Sequence, residues 1–176
     1  MRILRAQRAD LKSCAELDHS YTTTHTWQFV EQEERGTLSF TFRPIRLPRE
    51  AHIPYPKPLD HLAADWEMYP CFFVAREEGE ICGYVDLRPQ EWQQTAWIEH
   101  LAVAPDRRRQ GIGSALLERV ARWVAVRSLH TLMVDVPTSN HAAISFFQAH
   151  RFVFCGFHER YYANQDIAFF FSKDLA

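Results

Sequence analysis

The 176-residue sequence contains no apolar run of about 18 residues, which excludes a membrane-spanning helix of the usual length. The formal net charge is only −2, so its overall charge does not favour nucleic acid or an anionic membrane as a partner. Residues 1–8 lack the apolar core of a secretion signal. We therefore expect a cytoplasmic protein that binds neither nucleic acid nor membrane.

Cysteine pairs with the CxxC spacing are also missing. The four cysteines lie in apolar surroundings, which predicts reduced, buried thiols rather than disulfides. The nine histidines are scattered and show no metal-ligand spacing along a helix, so the sequence predicts no metal site. These cysteines are Cys14, Cys71, Cys82 and Cys155.

Length and a hydrophobic content of 47% suit one compact domain, residues 1–176. Alternating and helical patterns of apolar residues predict an α+β order with one right-handed strand–helix–strand crossover. Predicted strands are 3–7, 71–76, 81–87, 95–104, 131–136, 152–162 and 166–173, and predicted helices are 10–18 (with Asp10 as cap), 112–128 and 140–150. The last strand, near residues 167–171, either pairs across a dimer or is buried within one chain.

Two segments give weaker patterns. Residues 21–36 are rich in threonine and then acidic, and we expect them to be partly helical. Residues 44–58 contain five prolines, which exclude a helix interior and predict a loop or extended segment. That segment either covers a substrate or is an inert surface excursion.

The most informative stretch is residues 103–117, where a strand ends in a basic turn with two glycines before an amphipathic helix. Such a turn points free backbone N–H groups, together with the positive end of the helix dipole, at one spot that can bind phosphate. Gly111 and Gly113 allow close approach, and arginines 107–109 either screen phosphates or form a solvated turn. Leu116 breaks the Rossmann GxGxxG pattern, and Ser114 breaks the P-loop pattern.

The hexapeptide Arg108-Arg-Gln-Gly-Ile-Gly113 resembles the acetyl-CoA pyrophosphate loop, [Q/R]-x-x-G-x-[G/A], of the GNAT superfamily of N-acetyltransferases. Residues 140–147 resemble the family's later helix, in which the asparagine helps to hold the pantetheine arm; Asn140 is alternatively, or also, a helix cap. The resemblance implies that these residues contact acetyl-CoA: Leu101, Ala102, Val103, Arg108, Arg109, Gln110, Gly111, Ile112, Gly113, Ser114, Asn140, Ala143, Phe146 and Phe147.

The resemblance covers residues 95–176 and, more weakly, 1–18 and 71–87. It implies one domain with a mixed, mostly antiparallel sheet of about seven strands flanked by about four helices, and an acetyl-CoA core near 95–150. Residues 98–103 and the closing hairpin are similar to streptothricin acetyltransferases, which implies a link to antibiotic resistance.

An attacking amine must lose a proton, because a lysine-type ammonium has a pKa near ~10.4. Glu99 is the candidate base: strict alternation puts it on one face with Trp97 and Leu101, where burial would raise its pKa. The alternative is an exposed glutamate after a bulge. In many GNAT enzymes a glutamate on this strand is the base.

The family often has a tyrosine, the general acid, where this chain has Phe147. Tyr161 or Tyr162 of the last hairpin could take that role, water could do so, or the thiolate could leave without an acid. Each tyrosine is otherwise a packed hairpin aromatic. Arg151 also stands where the family usually has glycine.

The sequence thus predicts an acetyl-CoA-dependent N-acetyltransferase of a small-molecule amine, with homodimerisation open. Glu31, Glu33, Glu34 and Asp86 could line a mouth for a cationic amine; alternatively, residues 31–34 form a solvated helix face. Alternatives are transfer to protein N-termini or lysines, a CoA-binding module without catalysis, which Phe147 suggests, and an unrelated α/β binding domain. A segment 44–58 ordered across the cleft would favour small molecules.

Overall fold

The computed structural model describes residues 1–59, 62, 66 and 69–175. A seven-stranded sheet forms its centre, with the strand order β1-β4-β5-β6-β7-β9-β8, and β2 and β3 form a separate antiparallel ribbon. The elements are β1 (Arg2–Arg5), α1 (Leu11–Glu16), β2 (Tyr21–Glu34), β3 (Thr37–Ile53), β4 (Cys71–Glu77), β5 (Glu80–Gln90), β6 (Thr95–Val103), α2 (Ile112–Ala125), β7 (Thr131–Pro137), α3 (His141–Ala149), β8 (Val153–His158) and β9 (Ala168–Asp174).

The α+β class and the mixed, mostly antiparallel sheet of seven strands are confirmed. The described residues contain three α-helices, against the four or so that we expected. Asp10 does not cap α1: its carboxylate instead accepts the Gln7 N–H at 3.0 Å and pairs with Arg76. None of the helices in the described part of the chain is long and apolar enough to cross a membrane.

The expectation of partial helix at residues 21–36 is wrong, because this segment is strand β2 and a turn. Its threonines and aromatic residues favour extended structure, and the strand pairs with β3 along its whole length. The strand carries Phe29, which stacks on Phe42 of β3 with ring centroids 5.0 Å apart. Cross-strand packing of this kind outweighs the helix-compatible acidic stretch at its end.

The proline-rich segment is extended, as one of the two predictions had it, and β3 includes Pro44 and Pro48. Both are tolerated because the ribbon has two strands only, so each strand has an edge that needs no N–H donor. Pro48 lies in a bulge, where the partners of β2 change from Arg46 to Ala51.

Strand β9 lies inside the sheet between β7 and β8, so the alternative that it is buried within one chain holds. The neighbouring edge strand β8 leaves Val153 and Phe154 exposed. Cys155 on β8 is also exposed, so the prediction of a buried thiol is wrong there, whereas Cys14, Cys71 and Cys82 are buried.

Helix α2 crosses one face of the sheet and connects β6 to β7. Its buried side chains recur at helical spacing and enter the main core. Each such fully buried aliphatic side chain contributes about 1.5–3 kcal/mol to folding. The buried residues of α2 are Ile112, Leu116, Leu117, Val120 and Val124. This packing fixes where the helix begins, and therefore where the glycine turn lies.

Candidate active site

A cleft opens where β6 and β7 separate. The two strands pair in parallel only from Thr95 to Ile98 and from Thr131 to Val134. Beyond those positions residues of both strands line the cleft, together with α3 and the segment that follows the ribbon. The lining residues are Tyr55, Pro56, Lys57, Ile98, Glu99, Leu101, Val134, Asp135, Val136, Pro137, Asn140, Ala143, Phe147 and Tyr162.

The glycine turn (residues 108–114) leads into α2 from the end of β6. Gly111 has φ +85° and a Cβ there would meet no atom within 4 Å, so the turn is open on this side. The N–H of Ala115 donates to the Gly111 carbonyl at 3.0 Å and begins the helical pattern. The N–H groups of Ile112, Gly113 and Ser114 precede that bond and belong to the first turn, whose donors a helix leaves for a ligand.

Gly113 is close to the cleft wall. A Cβ at this position would lie 3.3 Å from the Phe146 ring and 3.8 Å from Leu101 Cδ2. Leu101 lines the cleft, so the first turn of α2 and the cleft are neighbouring parts of one surface. Ser114 Oγ bonds the Nε2 of His150 at 2.9 Å, and burial lowers the pKa of that histidine, with Lys173 adding to the effect.

The basic residues of the turn are not all aimed at a ligand. Arg108 is tied down: its Nε donates to the Val103 carbonyl at 2.9 Å and its Nη2 to the Asp18 carbonyl at 3.0 Å. The amide of Gln110 donates to Asp106 O at 3.0 Å. Arg109 adopts a left-handed φ of +65°. Side chains of this turn thus brace its shape, and the backbone is left as the donor to an anion.

The three predicted contact residues of β6 divide between two faces. Ala102 is buried in the core on the side of α1. Leu101 and Val103 are half-buried and pack against the core on the other side, with Leu101 in the cleft. A ligand along this strand would meet Ala102 only through its backbone.

Helix α3 supplies one wall of the cleft. Asn140 caps it, since its Oδ1 accepts the N–H of Ala143 at 3.0 Å, which confirms the capping alternative. Asn140 and Ala143 both line the cleft. Phe147 lines it too but is buried, and its ring packs edge-on against Phe146 and Phe152.

Glu99 lines the cleft, as its predicted role requires, but it is not deeply buried. Its side chain is 23% exposed, and its Oε1 lies 3.4 Å from Arg88 Nε. The expected apolar burial is therefore wrong, because the carboxylate is partly exposed and an arginine of β5 lies beside it.

The two tyrosines of the last hairpin have different surroundings. Tyr162 is buried in the cleft and its hydroxyl donates to Asp135 Oδ2 at 2.7 Å. Burial, and then the Asp135 charge, raise the pKa of Tyr162 well above its usual range. Tyr161 is 42% exposed, packs on Phe170 outside the cleft lining, and has a pKa raised by burial to about 12.

Sequence reasoning missed an ion pair inside the cleft. The Nζ of Lys57 donates to Asp135 Oδ1 at 2.8 Å and to the Glu99 carbonyl at 2.9 Å. Asp135 is almost fully enclosed, with 3% of its side chain exposed. A carboxylate in the middle of the apolar strand 131–136 was the available signal, whereas Lys57 is 42 residues from Glu99 and gave none.

The predicted acidic mouth is wrong for all four residues. Asp86 is fully buried and accepts both the backbone N–H of His100, at 2.8 Å, and its ring Nδ1–H, at 3.0 Å. Glu31, Glu33 and Glu34 are exposed along the far end of the ribbon and are not among the residues that line the cleft.

The chain thus has a helix N-terminus suited to binding phosphate beside a cleft between two parallel strands that separate. Residues 20–152 match the model of the acetyltransferase (GNAT) family. The chain belongs to this family. The resemblance predicted from residues 108–113 and 140–147 is thereby confirmed.

Among relatives of this GNAT family member, a streptothricin acetyltransferase of Streptomyces lavendulae is 31% identical over 85 residues, 48% of this chain and 45% of that protein. Streptothricin acetyltransferase A of Bacillus subtilis (strain 168) is 31% identical over 92 residues, 52% and 53% of the two chains. The [ribosomal protein bS18]-alanine N-acetyltransferase of Escherichia coli (strain K12) is 37% identical over 71 residues, 40% and 48%. The chain spans about half the length of these relatives.

Solved structures share the whole fold. A nourseothricin acetyltransferase has a TM-score of 0.84 at 23% identity, covering 99% of this chain and 98% of its own. A protein of Bacillus anthracis solved in complex with acetyl coenzyme A has a TM-score of 0.75 at 19% identity, covering 98% of each chain. At these identities the likeness establishes the fold.

Proposed function

We propose that this chain is an acetyl-CoA-dependent N-acetyltransferase that transfers an acetyl group to a primary amine of a small molecule. The observation that carries the proposal is the position of the glycine turn: the first turn of α2 adjoins, through Gly113 and Leu101, a cleft that contains carboxylates. Backbone N–H groups that can donate to a phosphate and carboxylates that can accept a proton thus lie on neighbouring parts of one surface.

The diphosphate of acetyl-CoA is assigned to the backbone N–H groups of Gly111, Ile112, Gly113 and Ser114. Each charge-assisted bond of this kind contributes about 1.5–3 kcal/mol. Arg108 and Gln110 take the role of bracing the turn, because their side-chain donors are already used within the protein. Arg109 and Ile112 complete the turn, and Phe146 closes it from α3.

The pantetheine arm is assigned to the edge of β6 that β7 leaves at Ile98. Amide groups of such an arm can pair with the backbone of residues 99–103, as an added strand would. Leu101 and Val103 flank this path, and Ala102 offers only its backbone. Asn140, Ala143 and Phe147 form the opposite wall, which leads the thioester into the cleft.

Glu99 is proposed as the proton acceptor for the attacking amine. Its carboxylate lines the cleft, where it can meet the ammonium group of a bound amine, and its Oε1 lies 3.4 Å from Arg88 Nε. A positioned general base contributes about 10²–10⁴-fold to a rate. Because the carboxylate is shared with Arg88, we place its effect near the lower end of that range.

No side chain is assigned as the general acid. Tyr161 lies outside the cleft lining, and Tyr162 holds its proton tightly because burial, and then the Asp135 charge, raise its pKa. We propose that the thiolate leaves unprotonated or takes its proton from water, with Phe147 supplying only an apolar wall. Tyr162 is then a positioning residue that fixes the Asp135 carboxylate.

A small-molecule acceptor is favoured by the segment after the ribbon. Tyr55, Pro56 and Lys57 form part of the cleft lining, so this segment borders the cleft and leaves less room there for a peptide. The similarity to streptothricin acetyltransferases supports the same class of acceptor and a role in antibiotic resistance. A cytoplasmic location and a homodimer remain predictions.

The experiment is thiol release from acetyl-CoA with a panel of amines: streptothricin, aminoglycosides, polyamines, lysine derivatives and short peptides. We expect turnover with a small cationic amine and none with peptides. Turnover with peptides alone would replace the small-molecule acceptor by a protein one. Tight CoA binding with no turnover on any amine would favour the non-catalytic binding module.

A further inference from the structure

Lys57 places a primary amine inside the cleft. It lies between Pro56 and Pro58, directly after the ribbon, and only 18% of its side chain is exposed. Its Nζ reaches the floor of the cleft, where it contacts the Glu99 carbonyl on one separating strand and Asp135 on the other. The two prolines restrict the backbone on either side, so the lysine is held in this direction.

The surroundings of this Nζ are those of a primary alkylammonium site. Two oxygens accept from it at 2.8–2.9 Å, one from a carboxylate that also holds the Tyr162 hydroxyl. A buried carboxylate without a cation would be costly, which explains why the cleft retains an ammonium group. The side chain of Lys57 has the same chemistry as the end of a lysine-like substrate.

We propose that Lys57 is an internal acceptor, acetylated at Nζ by acetyl-CoA bound to the same chain when no amine substrate occupies the cleft. This inference rests on the proposed function, which brings the thioester to residues 99–101. Because Nζ is tethered within the cleft, the transfer is intramolecular and does not depend on a collision with a second solute.

The reaction balances without a further reactant. The ammonium first gives one proton to the adjacent Asp135 carboxylate, which passes it to solvent. The free amine then forms a C–N bond with the acetyl carbon and loses its second proton to solvent, while the C–S bond breaks and CoA leaves as the thiolate. The product is N-acetyl-Lys57, which is neutral and no longer forms an ion pair with Asp135.

The sequence contains only three lysines, which makes the test clean. Lys12 is 84% exposed on α1 and Lys173 lies on β9, so Lys12 reports the uncatalysed reaction of acetyl-CoA with a free surface lysine. The full-length protein is incubated with acetyl-CoA alone, and peptide mass mapping follows acetylation at the three positions. We expect Lys57 to react at least about tenfold faster than Lys12, up to one acetyl group per chain.

Variants and a competitor sharpen the result. Lys57→Arg keeps the charge beside Asp135 and should abolish the incorporation, whereas Lys12→Arg should leave it unchanged. Gly111→Glu should reduce acetylation of Lys57 to the rate of Lys12, and an amine that the protein turns over should protect Lys57. If the protein acetylates added amines but its own lysines react in order of exposure, with Lys12 first, the proposal of an internal acceptor is overturned and the proposed function is not. Absence of both CoA binding and turnover would overturn the proposed function, and this inference with it.

Discussion

The two sides of the cleft, the glycine turn with α2 and the acceptor side with Lys57, Glu99 and Asp135, depend on the sequence in different ways. The glycine turn and α2 form a local unit, in which about ten consecutive residues determine both the N–H groups that can bind a phosphate and the helix that carries them. The acceptor side, by contrast, brings together Lys57, Glu99 and Asp135 from three distant parts of the chain. The comparison teaches that the proposed cosubstrate site rests on a contiguous motif, whereas the proposed acceptor site depends on contacts between residues far apart in the sequence.

The largest effect is expected on the cosubstrate side, from Gly111→Glu. The left-handed φ of +85° disfavours any side chain, and a carboxylate there would face the diphosphate. Loss of two charge-assisted bonds at about 1.5–3 kcal/mol each would weaken acetyl-CoA binding by hundreds-fold or more. Isothermal titration measures this directly.

The matched control for that variant is Gly36→Glu. Gly36 has a similar φ of +79° at the tip of the ribbon, and a Cβ there also meets no atom within 4 Å. It should share the backbone strain and keep the affinity for acetyl-CoA. Equal affinities for Gly111→Glu and wild type would remove the diphosphate from this turn.

Glu99→Gln tests the acceptor side. We expect thiol release to fall about 100-fold near neutral pH, as for loss of a general base, with the acetyl-CoA dissociation constant unchanged. The deficit should shrink as pH rises, because more of the amine is then already deprotonated. Glu118→Gln, which breaks an exposed pair with Arg122, is the control. A variant whose pH–rate profile parallels that of wild type would show that Glu99 is not the base.

Tyr162→Phe removes the hydroxyl that holds Asp135. A buried hydrogen bond to a charged group stabilises by about 1.5–3 kcal/mol, so chemical denaturation should show a loss of that size. We also expect a higher KM for the amine and an unchanged one for acetyl-CoA. Tyr161→Phe, next to it but exposed, should change neither quantity; if both variants behave alike, the hydroxyl–Asp135 contact has no special role.

The smallest effect concerns pH and the acceptor side. Burial lowers the pKa of His19 below its ordinary value of 6.5, and its ring lies 5.2 Å from that of Tyr55 in the segment that borders the cleft. Its Nδ1 bonds the Leu17 carbonyl and its Nε2 the Tyr84 hydroxyl, so the neutral ring satisfies both partners.

The unfolded chain therefore binds a proton at His19 at a higher pH than the folded chain does. The free energy of unfolding should fall as pH decreases through about 6.5 and level off below the folded pKa. Denaturation curves measured between pH 7.5 and 5 would show that the free energy of unfolding changes less steeply with pH in His19→Gln than in wild type. His158→Gln, at an exposed position, should leave the slope as it is.

The same contrast explains what the sequence could and could not predict. Most strands of the sheet, α2, α3 and the glycine turn follow from periodicity and a contiguous motif, and the mixed sheet of seven strands agrees with the resemblance. The prediction of partial helix at residues 21–36 failed because β2 is stabilised by its pairing with β3. The ribbon in turn packs on the sheet through Phe42 against Phe169, and the sequence of the segment shows neither contact. Lys57 and the burial of Asp86 depended on tertiary contacts with equally little local signal.

The measurement that tests the central claim most directly is the affinity for a bisubstrate ligand. In this ligand the acetyl carbon of an acetyl-CoA analogue is joined covalently to an alkylammonium chain. If cosubstrate and amine meet in the cleft between β6 and β7, this ligand should bind the wild type more tightly than acetyl-CoA does. It should lose that advantage in Glu99→Gln, which removes the carboxylate proposed to accept the proton of the amine. An affinity no better than that of acetyl-CoA, with binding unaffected by Glu99→Gln, would contradict the account.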